Sequence, residues 1–183
     1  MKTESTVKYV LRLALTLLVI AGVVAALLAG VNAVTKPIID ELTAQKTQKA
    51  ISAVLPGGGE LVESYTDETG LVSAVYAGES GYAVQVEPVG FDSAITMMVG
   101  VDFDGNVLGI DIISHSETAG LGAVAAADTS AGDAFRSQFI GVSGSVSVSK
   151  DGGTIDALTG ATITSRAVCT GINAALACVA NMG

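Results

Sequence analysis

An uncharged run of 22 residues, from position 13 to position 34, is the feature that most constrains how this chain can fold. Asn32 is its only strongly polar side chain. At 1.5 Å per residue, a helix of this length spans about 33 Å, which is enough to cross the hydrocarbon core of a bilayer. The sequence therefore predicts a transmembrane helix over residues 13–34, preceded by residues 1–12 and followed by a juxtamembrane helix and linker over residues 35–59.

Charged side chains on the two sides of this helix predict its orientation. Lys2, Lys8 and Arg12 precede it, whereas the first basic side chain after it is soon followed by Asp40 and Glu41. Because basic residues are retained on the cytoplasmic side of a membrane helix, we expect the N-terminus in the cytoplasm. The rest of the chain is expected outside the cytoplasm, attached to the inner or plasma membrane by a single pass.

A cleaved signal peptide is the alternative interpretation of this segment. Val31-Asn32-Ala33 resembles the small-residue site at which such peptides are cut. The apolar run is longer than the usual core of a signal peptide, which favours a retained anchor. Gly22, Ala26 and Gly30 recur every four residues, a spacing that permits close packing of membrane helices. Ordinary alanine and glycine usage in a lipid-facing helix explains that spacing equally well.

The remainder of the chain is strongly acidic. From Thr35 onward, six Lys or Arg residues face 17 Asp or Glu residues, which gives a net charge of −11. A domain with this charge repels nucleic acid and anionic lipid headgroups. No basic surface with interleaved aromatic residues is visible, so nucleic-acid binding is excluded.

Two cysteines, Cys169 and Cys178, lie nine positions apart in one predicted helix. Nine residues separate them by about 13 Å along that helix and place them on opposite sides of it, too far for a disulfide within the helix. We expect both to be buried small hydrophobic residues. The sequence offers no cysteine cluster for zinc or an iron–sulfur centre, and no metal site is predicted.

Short apolar runs bounded by turn residues predict an antiparallel sheet after the glycine-rich stop at positions 55–59. The Asp104-Gly105 turn is typical of a hairpin. The predicted strands are residues 60–65, 71–77, 82–88, 94–103, 107–114 and 142–149. Helical segments are predicted over 123–129, 133–139, and from 164 or 165 to 180. This mixture predicts a single α+β domain over residues 60–183. Its last helix should bury one face, formed by Val168, Ile172, Leu176 and Val179.

A hydroxyl-rich turn of small residues, Asp156-Ala157-Leu158-Thr159-Gly160-Ala161-Thr162-Ile163-Thr164-Ser165, precedes and enters that helix. Thr162 is expected just before the helix N-terminus, where backbone N–H groups and the helix dipole favour a phosphate. Gly160 and Ala161 would let the backbone approach such a group closely. Thr164, Ser165 and Arg166 offer hydroxyl and cationic contacts. The alternative is an ordinary N-cap, for which threonine and serine are favoured anyway.

This turn resembles the flavinylation motif D-x-x-[ST]-G-A-T-x-[ST] of the FMN-binding domain family, which occurs in the G subunit of Rnf electron transport complexes and in the C subunit of the Na⁺-translocating NADH:quinone reductase. The resemblance implies FMN joined to Thr162 by a phosphoester, and it is closest to the Rnf proteins. It also implies that Asp156, Thr159, Gly160, Ala161, Thr164, Ser165 and Arg166 surround the attachment point.

Two further segments extend the resemblance. The segment Ser114-His115-Ser116-Glu117-Thr118-Ala119-Gly120-Leu121-Gly122 is similar to the family's H-x-E-T-P-G-L-G loop, with Ala119 in place of the usual proline. Phe135-Arg136-Ser137-Gln138-Phe139, followed by Gly141, is similar to F-x-x-Q-F-x-G. The first segment is predicted to cradle the flavin through His115, Glu117, Thr118, Gly120, Leu121 and Gly122.

The resemblance implies an electron-transfer subunit of an Rnf-type, ion-translocating ferredoxin:NAD⁺ oxidoreductase, not catalytic alone. Its expected partners are the other membrane and redox subunits, the lipid bilayer, and a flavin transferase that uses FAD and Mg²⁺. An equivalent of the quinone-reductase protein, and an extracytoplasmic flavin-dependent reductase or electron conduit outside any pump, are alternatives. A third is a membrane-tethered interaction domain without flavin, in which the turn only caps a helix.

Overall fold

The structure is a computed structural model that describes residues 2–182, with side chains from Val7 onward. The chain divides into two units, one ending at Gln45 and the other beginning at Lys46. A first helix, α1 (Lys2–Val54), begins in the first unit and ends in the second. The apolar side chains of residues 13–34 are exposed, as expected for a helix surface that contacts lipid.

Two helices in the described part of the chain are long and apolar enough to cross a membrane. One is α1, whose most apolar stretch is not covered by protein. The other is the last helix, α3 (Thr162–Ala180), but 67% of its apolar stretch is buried in the second unit. We therefore assign α3 to the core of the second unit. Of these two helices, α1 is the one with apolar surface available to a membrane.

The second unit contains a five-stranded antiparallel sheet in which the strands pair in chain order. Its strands are β1 (Glu60–Leu61), β2 (Val72–Gly78), β3 (Gly81–Val86), β4 (Thr96–Asp102) and β5 (Val107–Ser114). Between the sheet and α3 lie a 3₁₀ helix (Gly122–Ala126), a short helix α2 (Ser130–Ser137) and a 3₁₀ turn (Ser149–Asp151). The predicted α+β class, with an antiparallel sheet and a C-terminal helix, is confirmed.

The hairpin between β4 and β5 turns where the sequence predicts. Gly105 adopts a left-handed conformation with φ of 81°, which glycine reaches without a steric penalty. The side-chain amide of Asn106 donates to Asp102 at 2.9 Å and holds the pKa of that carboxyl below its usual range. Asp102 also accepts from the backbone N–H of Asp104 at 2.9 Å, which closes the turn.

The sheet buries both of its faces. Neighbouring residues of a strand point to opposite faces, and in β3 both Ala83 and Val84 are fully buried. Val84 belongs to the larger core with α3, whereas Ala83 packs with the end of α1, at Ile51 and Val54. The approach on the α1 side is close, because a Cβ on Gly100 would lie 2.2 Å from the carbonyl oxygen of Val54. The last turns of α1 are therefore part of the folded domain.

The predicted apolar face of α3 is confirmed. Val168 and Ile172 are fully buried, and Leu176 and Val179 are nearly so. Gly171 lies on the same side of the helix, where a Cβ would come within 2.9 Å of Pro88. This close approach fixes α3 against the sheet and thereby fixes the position of its N-terminus.

The predicted strand over residues 142–149 is wrong. This segment makes only isolated bridges, between Asn106 and Ser143 and between Val148 and Ile155. The backbone N–H and carbonyl of Val146 bond instead to the side-chain amide of Asn173, at 2.7 and 2.8 Å. Val146 and Val148 are buried, as the alternating pattern requires. The backbone N–H and carbonyl of Val146, however, are hydrogen-bonded by the Asn173 side chain of α3 and not by a neighbouring strand.

Element boundaries differ elsewhere by a few residues. The predicted strand over 60–65 is reduced to the two residues of β1. The predicted helix over 123–129 is a shorter 3₁₀ helix, and α2 begins earlier than predicted. The hydroxyl of Thr129 accepts from the N–H of Gly132 at 3.2 Å and caps α2, which therefore begins at Ser130, three residues before the helix expected from the apolar pattern.

The two cysteines are free and buried, as predicted. Burial raises the pKa of the Cys169 thiol to about 11 and also raises the pKa of Cys178. Because the thiolate is the reactive form, the folded chain should resist alkylation at about pH 8, whereas both thiols should react once the chain is denatured. Mass analysis after labelling checks this expectation, and rapid labelling of the folded chain would contradict it.

Candidate functional site

The loop after β5 and the N-terminus of α3 enclose a pocket of about 310 Å³. The lining residues come from four segments of the second unit, and two of these segments were predicted to form one site. They are Phe91, Glu117, Thr118, Leu121, Gly122, Lys150, Gly160, Ala161, Thr162, Ile163 and Thr164. The fold therefore brings together the two sequence segments that were predicted to cooperate.

Thr162 is the first residue of α3, so the helix begins two or three residues earlier than predicted and Thr162 does not precede it. The N–H of Ser165 donates to the carbonyl of Ala161 at 3.0 Å and forms the first helical hydrogen bond. The N–H groups of the three residues before Ser165 have no acceptor within the helix. Gly160, with φ of 75°, turns the chain into this position. The Thr162 hydroxyl thus lies among donors suited to an anion.

Lys150 brings a positive charge to the same hydroxyl. Its ammonium group donates to Oγ1 of Thr162 at 3.2 Å. The neighbouring Asp151 accepts two hydrogen bonds from Arg166 on α3, at 2.7 and 2.6 Å. These bonds raise the pKa of Arg166 and hold the pKa of Asp151 below its usual range. The ion pair joins the 3₁₀ turn that carries Lys150 to the first turns of α3.

Glu117 connects three segments beneath the pocket and is 8% exposed. Its Oε1 accepts from the backbone N–H groups of Phe91 and Asp92, at 2.8 and 3.3 Å. Its Oε2 accepts from the hydroxyl of Thr164 in α3. A Cβ on Gly122 would lie within 2.5 Å of this carboxylate, so only glycine fits there. Because the carboxylate is occupied by these bonds, Glu117 positions the walls of the pocket.

Three large apolar side chains stand exposed around the pocket. Phe91 is 66% exposed, Ile163 49% and Leu121 43%. Folding leaves this apolar surface uncovered beside a lysine and a set of free N–H donors. The combination suits a ligand with an anionic phosphate at one end and a planar aromatic ring at the other.

Eight of the fourteen predicted site residues line the pocket, and six lie outside its lining in the described part of the chain. Those that line it are Glu117, Thr118, Leu121, Gly122, Gly160, Ala161, Thr162 and Thr164. Those outside it are His115, Gly120, Asp156, Thr159, Ser165 and Arg166.

Three of the six make hydrogen bonds in or next to the segments that line the pocket. The Ser165 hydroxyl accepts from the N–H of Leu158 at 3.0 Å and donates to the carbonyl of Ala161 at 3.0 Å, which shapes the turn before α3. Nδ1 of His115 accepts from the N–H of Glu117 at 3.2 Å, a bond within the loop. The backbone N–H of Asp156 donates to the side chain of Gln138 at 2.7 Å.

Phe91, Lys150 and Ile163 line the pocket but were not predicted from the sequence. Lys150 carried a usable signal, because residues 60–183 contain only three basic residues, Arg136, Lys150 and Arg166. A lone lysine 12 residues before a predicted phosphate site is unusual in so acidic a domain. Phe91 carried no such signal, since only the fold brings its backbone to Glu117.

Two protein families match parts of this chain. Residues 90–177 match the FMN-binding domain family, and residues 1–54 match the RnfG N-terminal region. The first match spans β4, β5, the pocket loop and most of α3. This match shows that the chain contains an FMN-binding domain, and the residues that line the pocket fall within the matched region.

Two relatives align with nearly the whole chain and show which family it belongs to. The chain is 34% identical to the G subunit of the Na⁺-translocating ferredoxin:NAD⁺ oxidoreductase complex of Acetobacterium woodii, covering 99% of this chain and 97% of the relative. It is 30% identical to the G subunit of the ion-translocating oxidoreductase complex of Methanosarcina acetivorans, over 92% and 94%. The G subunit of the proton-translocating ferredoxin:NAD⁺ oxidoreductase complex of Clostridium ljungdahlii is 41% identical over 55% and 57%. The chain belongs to the RnfG family, the G subunits of Rnf complexes.

Proposed function

We propose that this chain is a membrane-anchored flavoprotein subunit that relays electrons within an Rnf-type, ion-translocating ferredoxin:NAD⁺ oxidoreductase, with FMN bound covalently to Thr162 through a phosphoester. The observation that carries the proposal is the contact between Lys150 and the Thr162 hydroxyl, at the helix N-terminus that lines the pocket. When bound, FMN supplies reversible electron transfer, and the protein determines where this occurs.

Different residues of the pocket have different roles in holding FMN. Thr162 provides the point of attachment, while Lys150 and the free N–H groups of α3 balance the negative charge of the phosphate. Phe91 and Leu121 line the pocket with exposed apolar surface and would shield part of the bound group from water. Glu117 is hydrogen-bonded to the backbone of Phe91 and to Thr164 in α3, and these bonds fix the loop and the helix on the two sides of the pocket relative to each other.

Covalent attachment fits the proposed location of the domain. With the N-terminus in the cytoplasm, α1 anchors the chain in the membrane and residues 60–183 lie outside, where a dissociated flavin would be diluted and lost. A tether holds the cofactor at a high effective concentration in the pocket. A separate flavin transferase performs the attachment, as the family resemblance implies.

A flavin-dependent reductase or electron conduit outside any pump is the second candidate, because it would use the same pocket. A match between residues 1–54 and the RnfG N-terminal region favours the complex, since an independent domain needs only an anchor and not that particular segment. An equivalent of the quinone-reductase protein is disfavoured, because the relatives that match nearly the full chain are named as G subunits.

Co-purification separates the first two candidates. An affinity-tagged chain, extracted from its host in mild detergent, should bring integral-membrane and iron–sulfur subunits with it in constant proportion. The matched control is a chain with the same tag in which an unrelated single-pass anchor replaces residues 1–54. Purification of the native chain alone, with its flavin intact, would contradict membership of a complex and favour the independent reductase.

A further inference from the structure

We propose that Lys150 positions and polarises the Thr162 hydroxyl for attachment of the flavin phosphate, and that the Asp151–Arg166 ion pair holds Lys150 in place. The inference rests on the proposed function, because it concerns how the covalent flavin is installed. It assigns a role to a lysine within the protein that accepts the flavin, in addition to any group in the transferase.

The attachment step defines what the acceptor must provide. Oγ1 of Thr162 attacks the phosphorus on the flavin side of the pyrophosphate in FAD. The Oγ1–P bond forms, the bond to the bridging oxygen breaks, AMP leaves, and the hydroxyl proton passes to the transferase or to water. No electrons are exchanged. The acceptor oxygen becomes more negative as its proton leaves, and the product adds one negative charge to an acidic domain.

Lys150 is placed to stabilise both the developing negative charge on Oγ1 and the charge that the product adds. Its ammonium donates to Oγ1 of Thr162, so the oxygen is held as an acceptor and its own hydrogen stays free for removal. A cation at 3.2 Å also stabilises the developing negative charge and then the finished phosphodiester. The other two basic residues between positions 60 and 183 are engaged elsewhere. Arg136 donates to the carbonyl of Ala125 at 2.7 Å, and Arg166 is paired with Asp151.

The ion pair explains how a flexible lysine is kept at this distance. Arg166 lies four residues after Thr162, on the same side of α3. Its two bonds to Asp151 hold the turn Ser149–Asp151 against the helix. Both partners are substantially exposed, so the pair adds little to stability. Its contribution is to restrict where Lys150 can reach, and Asp151→Asn should therefore slow attachment without unfolding the domain.

The test measures the rate of flavin attachment directly. The full chain, produced in a host without flavin transferase, is mixed with purified transferase, FAD and Mg²⁺, and covalent flavin is followed by intact mass. Lys150→Ala and Lys150→Gln should lower the initial rate about tenfold or more, as expected for loss of a pre-positioned donor at a developing charge. Lys150→Arg should recover most of the rate because it restores the cation. Lys49→Ala, which removes an equal charge outside the pocket lining, should react at the native rate.

The other possible outcomes separate failure of the role assigned to Lys150 from failure of the proposed function. If the native chain gains flavin on Thr162 and Lys150→Ala gains it equally fast, the role of Lys150 is wrong and the proposed function stands. If Lys150→Arg is as slow as Lys150→Gln, or Lys49→Ala as slow as Lys150→Ala, a local cation at Thr162 is not the cause. If the native chain gains no flavin from an active transferase, the proposed function itself fails. Thermal unfolding of every variant shows that the folded domain is being compared.

Discussion

Replacing Thr162 with alanine should abolish covalent flavin while leaving the fold intact. Thr162 is partly exposed, and within the described part of the chain its hydroxyl bonds only to the side chain of Lys150. Removal of that hydroxyl deletes the sole proposed point of attachment, so the expected loss is complete. Flavin fluorescence on a denaturing gel, from protein made together with the transferase, measures the result.

Two substitutions, one at a neighbouring threonine and one at Thr162 itself, provide the controls. Thr159→Ala removes an exposed hydroxyl from the same turn and should leave the fluorescent band unchanged. Thr162→Ser keeps a hydroxyl at the same position and should retain covalent flavin. A fluorescent Thr162→Ala band would contradict attachment at Thr162 and move it to Thr159 or Thr164.

Replacing Glu117 with alanine should destabilise the second unit more than any other single change in the pocket. The buried carboxylate accepts hydrogen bonds from two backbone N–H groups and from Thr164, which is 2% exposed. Truncation leaves the buried Thr164 hydroxyl and two partly buried N–H groups without this acceptor, at a cost of about 3 kcal/mol. For a unit of this size, the loss corresponds to a fall in Tm of roughly 10 °C. Near-ultraviolet circular dichroism of the tyrosines reports that transition.

Controls for Glu117 separate the hydrogen bonds from the charge. Glu117→Gln keeps an acceptor for the N–H of Phe91 and a donor to Thr164, so its Tm should fall by less than that of the alanine variant. Glu87→Ala removes an exposed carboxylate and should change stability by about 0.5 kcal/mol or less. An unchanged Tm for Glu117→Ala would show that this carboxylate does not join the three segments.

Local signals, namely helical periodicity and turn residues, were sufficient to predict the elements that neighbouring residues determine. The apolar face of α3 and the hairpin at Asp104-Gly105 are both present as predicted. The strand over 142–149 failed because alternation reports which side chains are buried and not which partner bonds the backbone. Here that partner is Asn173, 27 residues away in sequence from Val146, and no local pattern reveals it.

The candidate site was predictable where one contiguous segment carries it. The turn containing Thr162 was found from its small and hydroxyl residues, and the loop containing Glu117 from its family resemblance. The role of Glu117 was not predictable, because its bonds run to residues 26 and 47 positions away. Lys150 carried a signal in its rarity as a basic residue, but its contact with Thr162 was not predictable, because only the folded 3₁₀ turn Ser149–Asp151 brings it there.

The most direct test of the central claim is the mass of one peptide. Trypsin cuts after Lys150 and Arg166, which releases Asp151–Arg166 with Thr162 inside it. In protein purified from host membranes, this peptide should carry the mass of one FMN less one water, with fragment ions that place the addition on Thr162. Recovery of the peptide wholly unmodified, from cells with an active flavin transferase, would contradict a covalent flavin at Thr162 and with it the proposed electron relay.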